Sequence, residues 1–157
     1  MRCLLVLRGD LFALKLGGGP PPMAVSAPGA INQEFVMTRQ HFGSAHVPLS
    51  PAVRAGDFVF VSGQVPTGPD GAVVVGGIEA QTKRVMENVE AALKLAGASL
   101  ADVVKTTVIL VDARDFGAFN KVYATFFPAN PPARTTLEAR LMIDIRVEIE
   151  AVAYKPL

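Results

Sequence analysis

A single cysteine, Cys3, stands in the 157 residues. That excludes an internal disulfide framework and any cysteine-rich zinc site, and it fits a reducing, cytoplasmic setting. Neither sign of charge is in excess. Fifteen Lys and Arg against 14 Asp and Glu leave a net charge of +1, which gives no electrostatic case for nucleic acid or an anionic membrane. Histidine is equally scarce. His41 and His46 are the two present, and both fall ahead of the region where order is expected, so a histidine acid–base pair is not available. Long apolar runs are missing as well. The stretch MRCLLVLRGDLFALKLGGGPPP opens with one, but Arg8, Asp10 and Lys15 interrupt it. It falls short of the roughly 7–15 residues of a secretory signal and the ~20 of a membrane span.

What is present is a chain long enough for one domain with a buried core. Residues 1–36 lack periodicity and are punctuated by GGGPPP; they read as a poorly ordered extension, with Met23 and Met37 as alternative starts. The domain proper is expected over 37–157, with order beginning near Val47. Phe58-Val59-Phe60-Val61 is a continuous β-favouring run, expected as a central strand buried on both faces. Ser62-Gly63-Gln64 ends it, and Thr67-Gly68-Pro69-Asp70-Gly71 is a turn cluster. A short strand is expected over Ala72–Val75. From Ile78 to Ala96 an apolar stripe at helical spacing (Ile78, Thr82, Val85, Val89, Ala92, Leu93 and Ala96) predicts a long helix that Gly97 stops.

Ser99 can cap a one-turn helix over 100–103, and Val104–Val111 reads as another strand. Asp112 or Asp115 can cap a second helix, roughly Phe116–Phe127, whose inward stripe is Phe116, Phe119, Tyr123, Phe126 and Phe127. Asn120 lies on that same side. It either bonds backbone at a helix–sheet seam or lines a pocket.

The last stretch, from Pro131 to Tyr154, reads as two strands joined by a short turn. In the first, Thr135, Leu137, Ala139 and Leu141 are expected inward, with Arg134, Thr136, Glu138 and Arg140 on the polar face. In the second, Ile145, Val147, Ile149, Ala151 and Ala153 alternate with Arg146, Glu148, Glu150, Val152 and Tyr154. A turn near Met142 and Ile143 would set Glu148 opposite Thr136 or Glu138, diagonal to Arg134 at roughly 7–8 Å between backbone positions. An anion-binding fork and a base would then share one face. Taken alone, the same pattern also describes solvated cross-strand ion pairs. The element order implies an α+β fold, a mixed β-sheet with two helices packed on one face. Its open sheet face would stay partly apolar and call for burial against another subunit.

Phe60-Val-Ser-Gly-Gln-Val-Pro66, Val104-Lys-Thr-Thr-Val108, Asp115-Phe116, Asn120, Tyr123, Phe126-Phe127, Pro132-Ala-Arg-Thr135 and Val147-Glu-Ile-Glu-Ala151 together resemble the RidA/YjgF family over about residues 47–154. The resemblance implies a chorismate-mutase-like subunit, a homotrimer with a central β-barrel, and small-molecule clefts between subunits. It also implies hydrolytic deamination of enamines and imines of the 2-aminoacrylate type to 2-keto acids and ammonia, with no metal and no cofactor. On that likeness Arg134 would grip the substrate carboxylate and Glu148 would activate water. Ser62 and Gly63 would orient the substrate, and Asn120 would line the cleft. Glu150 beside Glu148 would raise a carboxyl pKa while Arg134 would oppose that shift.

The chain departs from the family pattern at Leu49, where a tyrosine is common, at Thr136, where cysteine is common, and in two shortened loops around the Arg134 strand. Two other readings therefore stand beside the deaminase. One is a non-catalytic or regulatory binder of small carboxylates. The other is an endoribonuclease, a label some relatives carry, which the lack of a basic stripe with interleaved aromatics disfavours.

Overall fold

The structure is a computed structural model that describes residues 38–157. The expected extension over 1–36, with Met23 and Met37, lies outside the described residues. Six strands and two helices follow in order: β1 Arg39–Phe42, β2 Ala52–Ala55, β3 Phe58–Gln64, α1 Ile78–Leu95, β4 Val103–Leu110, α2 Phe116–Phe126, β5 Ala133–Glu138 and β6 Val147–Tyr154. Single 3₁₀ turns at Leu100–Asp102 and Ala113–Asp115 precede β4 and α2. The strands form one sheet in the order β1-β2-β3-β6-β4-β5. Only the β4–β5 pair is parallel, so the fold is α+β with a mixed sheet. No helix among the described residues is long and apolar enough to cross a membrane.

Both helices form where the apolar spacing places them, because each carries a stripe that must leave water. Val85, Met86, Val89 and Leu93 of α1 and Phe119 and Tyr123 of α2 are buried, packed with Val59, Val108, Val147, Ile149 and Ala153 of the sheet. Gly97, at φ +72°, turns the chain out of α1 in the left-handed region that glycine adopts without strain. Asp102 accepts both the Ser99 backbone N–H and its hydroxyl, and Asp112 accepts the Arg114 N–H, so both short turns begin on the residues the sequence marks.

Five expectations are corrected. Order starts earlier than Val47, since β1 already pairs with β2 at Arg39–Phe42; its polar sequence RQHF carries no alternation to announce a strand. Ala72–Val75 forms no strand, only an isolated bridge between Thr67 and Val73, because Gly68 and Ala72 close the turn on themselves. β3 is interior to the sheet but buried on one side only. Val59 and Val61 are covered, while Phe58 and Phe60 stay 43% and 46% exposed.

The fourth correction matters most. β5 and β6 are not a hairpin, because β4 lies between them, parallel to β5 and antiparallel to β6. Residues 139–146 carry the chain over the end of β4. That passage is fastened by Ala139 N–H to Leu110 O and by Val111 N–H to Arg146 O.

Paired residues on neighbouring strands share a face, so the register assigns the sides. Val147, Ile149, Ala151 and Ala153 face the helices, as expected, and Glu148, Glu150, Val152 and Tyr154 face away. In β5 the expectation is reversed. Arg134 pairs with buried Thr106 on the helix side, whereas Leu137 pairs with Ile109 on the open side and is 42% exposed.

Candidate active site

Because of this topology the expected site residues fall into two groups. Arg134 and Thr136 lie on the helix side of β5, an edge strand, with Asn120 above them on α2. Glu148 lies on the opposite face of the sheet, level with Ile109, whereas Arg134 is level with Thr106. Two strand spacings across and three residues along put their backbones about 14 Å apart, with the sheet between their side chains. Within one chain the fork and the carboxyl do not meet.

The first group is built around the Arg134 guanidinium. Its central carbon lies 5.6, 5.4 and 4.8 Å from the ring centres of Phe116, Phe119 and Tyr123, three residues at i, i+3 and i+7 on one stripe of α2. The ring faces attract the cation and hold it in place without consuming its N–H groups. None of the ion pairs among the described residues involves Arg134, so its hydrogen-bonding fork is free for an anion. Tyr123 is pinned in turn: its hydroxyl and the Thr106 Oγ1 are 2.8 Å apart. Burial pushes the phenol pKa up, against the smaller lowering effects of that hydrogen bond and of Arg134.

A cavity of about 420 Å³ opens beside the guanidinium, lined by Asn120, Tyr123, Ala124, Phe127, Pro131, Pro132 and Arg134. Asn120 therefore lines a pocket, one of its two expected roles. On the other side of Phe116 a smaller recess of about 270 Å³ is lined by Leu110, Ala113, Phe116, Thr136, Leu137 and Glu138. The Thr136 hydroxyl is buried with no hydrogen-bond partner, as a ligand-facing group can be. The helical stripe signalled the three rings as core residues. That they also cage Arg134 is a tertiary fact with no mark in the sequence.

The second group sits where β3 is irregular. Its register with β6 shifts between Val61 and Gln64, a bulge of the kind that re-aims side chains next to functional sites. The Ser62 N–H bonds the Pro51 carbonyl and the Ser62 hydroxyl donates to the Ser50 carbonyl at 2.7 Å. With its proton committed, that hydroxyl keeps its lone pairs to accept from a ligand N–H. Leu49 is the chain neighbour of Ser50 and is 46% exposed. Gly63 lies directly against the Glu148 carboxyl. Burial, and secondly the negative charge of Glu150, raise the Glu148 pKa above the ordinary carboxylate range. The anticipated opposition from Arg134 is absent because that cation is across the sheet. No cluster of three or more His, Cys, Asp or Glu able to hold a metal ion occurs among the described residues.

A family profile described as Endoribonuclease L-PSP matches residues 39–155. The chain belongs to the RidA/YjgF family. A RutC family protein of Pyrococcus abyssi is 51% identical over 110 residues, covering 69% of this chain and 87% of the relative. The mouse protein named 2-iminobutanoate/2-iminopropanoate deaminase is 43% identical over 110 residues, covering 69% and 82% of the two chains. Among solved structures, E. coli TdcF with bound serine superposes with a TM-score of 0.70 at 34% identity, over 74% of this chain and 98% of that one. RidA/YjgF relatives thus include proteins named as deaminases, and the α+β subunit is common to them.

Proposed function

We propose that this RidA/YjgF member hydrolyses small 2-imino acids, and their enamine tautomers, to 2-keto acids and ammonia. The observation that carries the reading is Arg134: a guanidinium set against three rings, paired with no carboxylate among the described residues and opening on a cavity beside Asn120. That arrangement suits bidentate recognition of a planar carboxylate.

Glu148 supplies the base. With its pKa raised, it lies nearer the range in which a carboxylate both takes and returns a proton at neutral pH. It removes a proton as the water oxygen bonds to the C=N carbon, and the nitrogen is protonated to give a carbinolamine. The hydroxyl proton then reaches the nitrogen by way of Glu148, the C–N bond breaks as the C=O bond forms, and ammonia departs. The Ser62 hydroxyl accepts from the nitrogen's N–H, and Asn120 and Thr136 line the remainder of the cleft beside Leu49.

Since the sheet separates Arg134 from Glu148 in one chain, the reading requires two. Arg134, Asn120 and Thr136 of one copy face Ser62, Gly63 and Glu148 of the next. The open face, with Phe58, Phe60, Leu137 and Tyr154 exposed, supplies apolar area for such an assembly; a homotrimer with its sheets turned inward is the form we favour. A non-catalytic carboxylate binder is the second reading, favoured by Leu49 and by the completeness of the Arg134 half without Glu148.

Mixing decides between them. Arg134→Ala and Glu148→Gln proteins, each left with only a residual rate alone, are unfolded together and refolded, and ammonia release from 2-aminoacrylate generated in situ is followed. Random assembly restores about a quarter of the shared sites, each half being intact with probability one half. No recovery in mixed oligomers refutes the shared site. Full activity of the Glu148→Gln protein alone refutes the catalytic role.

A further inference from the structure

We infer that Gly63 is a positioning residue for Glu148: the space where its side chain would begin is the seat of the Glu148 carboxyl group. This rests on the reading of Glu148 as the base and adds a role distinct from the substrate-orienting one expected of Gly63.

Among the described residues the glycines of positive φ are Gly43, Gly56, Gly71, Gly76 and Gly97. Gly63 is not one of them, so its backbone is of a kind other residues adopt without strain. Backbone freedom does not explain the glycine, but space does. A Cβ at residue 63 would overlap Glu148 Oε1 and stand 3.0 Å from Cδ and 3.3 Å from Cγ of the same side chain. All three nearest atoms belong to Glu148, and no backbone is among them.

The carboxyl is the far end of a flexible side chain, so a methyl group at 63 would evict it rather than unfold the sheet. The β3 bulge makes the seat, and it is itself fixed. Ser62 is bonded at both its N–H and its hydroxyl to the chain before β2, and the Gln64 amide donates to Ser62 O at 2.9 Å. The other titratable groups on this face are Glu150 and Tyr154 of the same strand and Lys105 of β4, with Arg39 and His41 farther off on β1. Withdrawal from water in this seat is the main cause of the raised Glu148 pKa.

The test is Gly63→Ala, which keeps the N–H and adds only the methyl group. The expected result is turnover lowered about 10²-fold, with KM changed no more than about threefold because Arg134 still anchors the carboxylate. The acid limb of the pH–rate profile should move toward lower pH. In the Glu148→Gln background the same substitution should cost almost nothing further, since it acts through a carboxyl already lost. Additive losses, an unmoved acid limb, or a raised KM at unchanged kcat would each overturn the inference. Should Gly63→Ala fail to fold, Glu148→Ala in the same chain must restore folding; failure to do so also overturns it.

The proposed function and this inference fail separately. If the wild type releases no ammonia, carboxyl-carbon NMR titration of Glu148 in wild type and Gly63→Ala still decides the seat. The titration must fall in the variant; an unchanged midpoint rejects it.

Discussion

Replacing Arg134 with lysine keeps the charge and removes the fork, which makes it the most discriminating single change. The guanidinium lies between 4.8 and 5.6 Å from three ring centres. Those contacts exist with or without ligand, so they contribute to stability and to holding the group in place rather than directly to affinity. What the bound carboxylate loses with lysine is one of two parallel charge-assisted hydrogen bonds, about 2 kcal/mol, or roughly a thirtyfold weaker Kd. Lysine's mobile stem adds an ordering cost of its own. The assay is calorimetric titration of a 2-keto acid, which has the substrate's carboxylate and planar carbon but does not turn over. In parallel, KM for ammonia release from 2-aminoacrylate should rise by a similar factor. Thermal melts report separately on the loss of ring stacking. A lysine variant that binds the keto acid as tightly as wild type would show that Arg134 holds no carboxylate, and the functional reading would lose its anchor.

Two further outcomes follow from groups already described. Glu148 has a folded pKa above its unfolded value, so its protonation favours the folded state below the unfolded pKa, and that advantage is lost as pH rises through the folded one. Glu148→Gln should therefore melt higher than wild type at pH 7 and show no such gain near pH 4; equal melting points across the range would contradict the burial that causes the shift. Tyr123→Phe leaves the Thr106 hydroxyl, 1% exposed, without its partner. A loss of about 1–2 kcal/mol, read as a melting point lower by several degrees, is expected, and an unchanged melt would show that the hydroxyl pair contributes nothing.

The sequence carried faces well and neighbours poorly. Period-two alternation in β6 named its buried residues because burying one side of a strand leaves a direct trace in composition. It could not say which strand lies alongside. A short connection between two alternating runs reads as a hairpin, yet residues 139–146 are long enough to clear the end of β4, and parallel pairing of β4 with β5 leaves no local signature. The inversion of β5 has the same origin. Leu137 looked like a core residue in isolation, while Arg134 faces the helices because aromatic rings of α2 receive it. The individual site residues were legible through motif likeness. Their separation onto two sides of the sheet was not, because it is set by strand order.

That order also bears on how the chain is made. β6 is the last of these six strands to be made but lies between β3 and β4, so a nascent chain holds two half-sheets, one of β1, β2 and β3 and one of β4 and β5, with no seam to join them. Translation must reach residue 154 and release it from the ribosome before either half gains its inner neighbour. Until then the facing edges of β3 and β4 are open to any other strand, so a spell of exposure to mispairing is a direct consequence of where one segment sits.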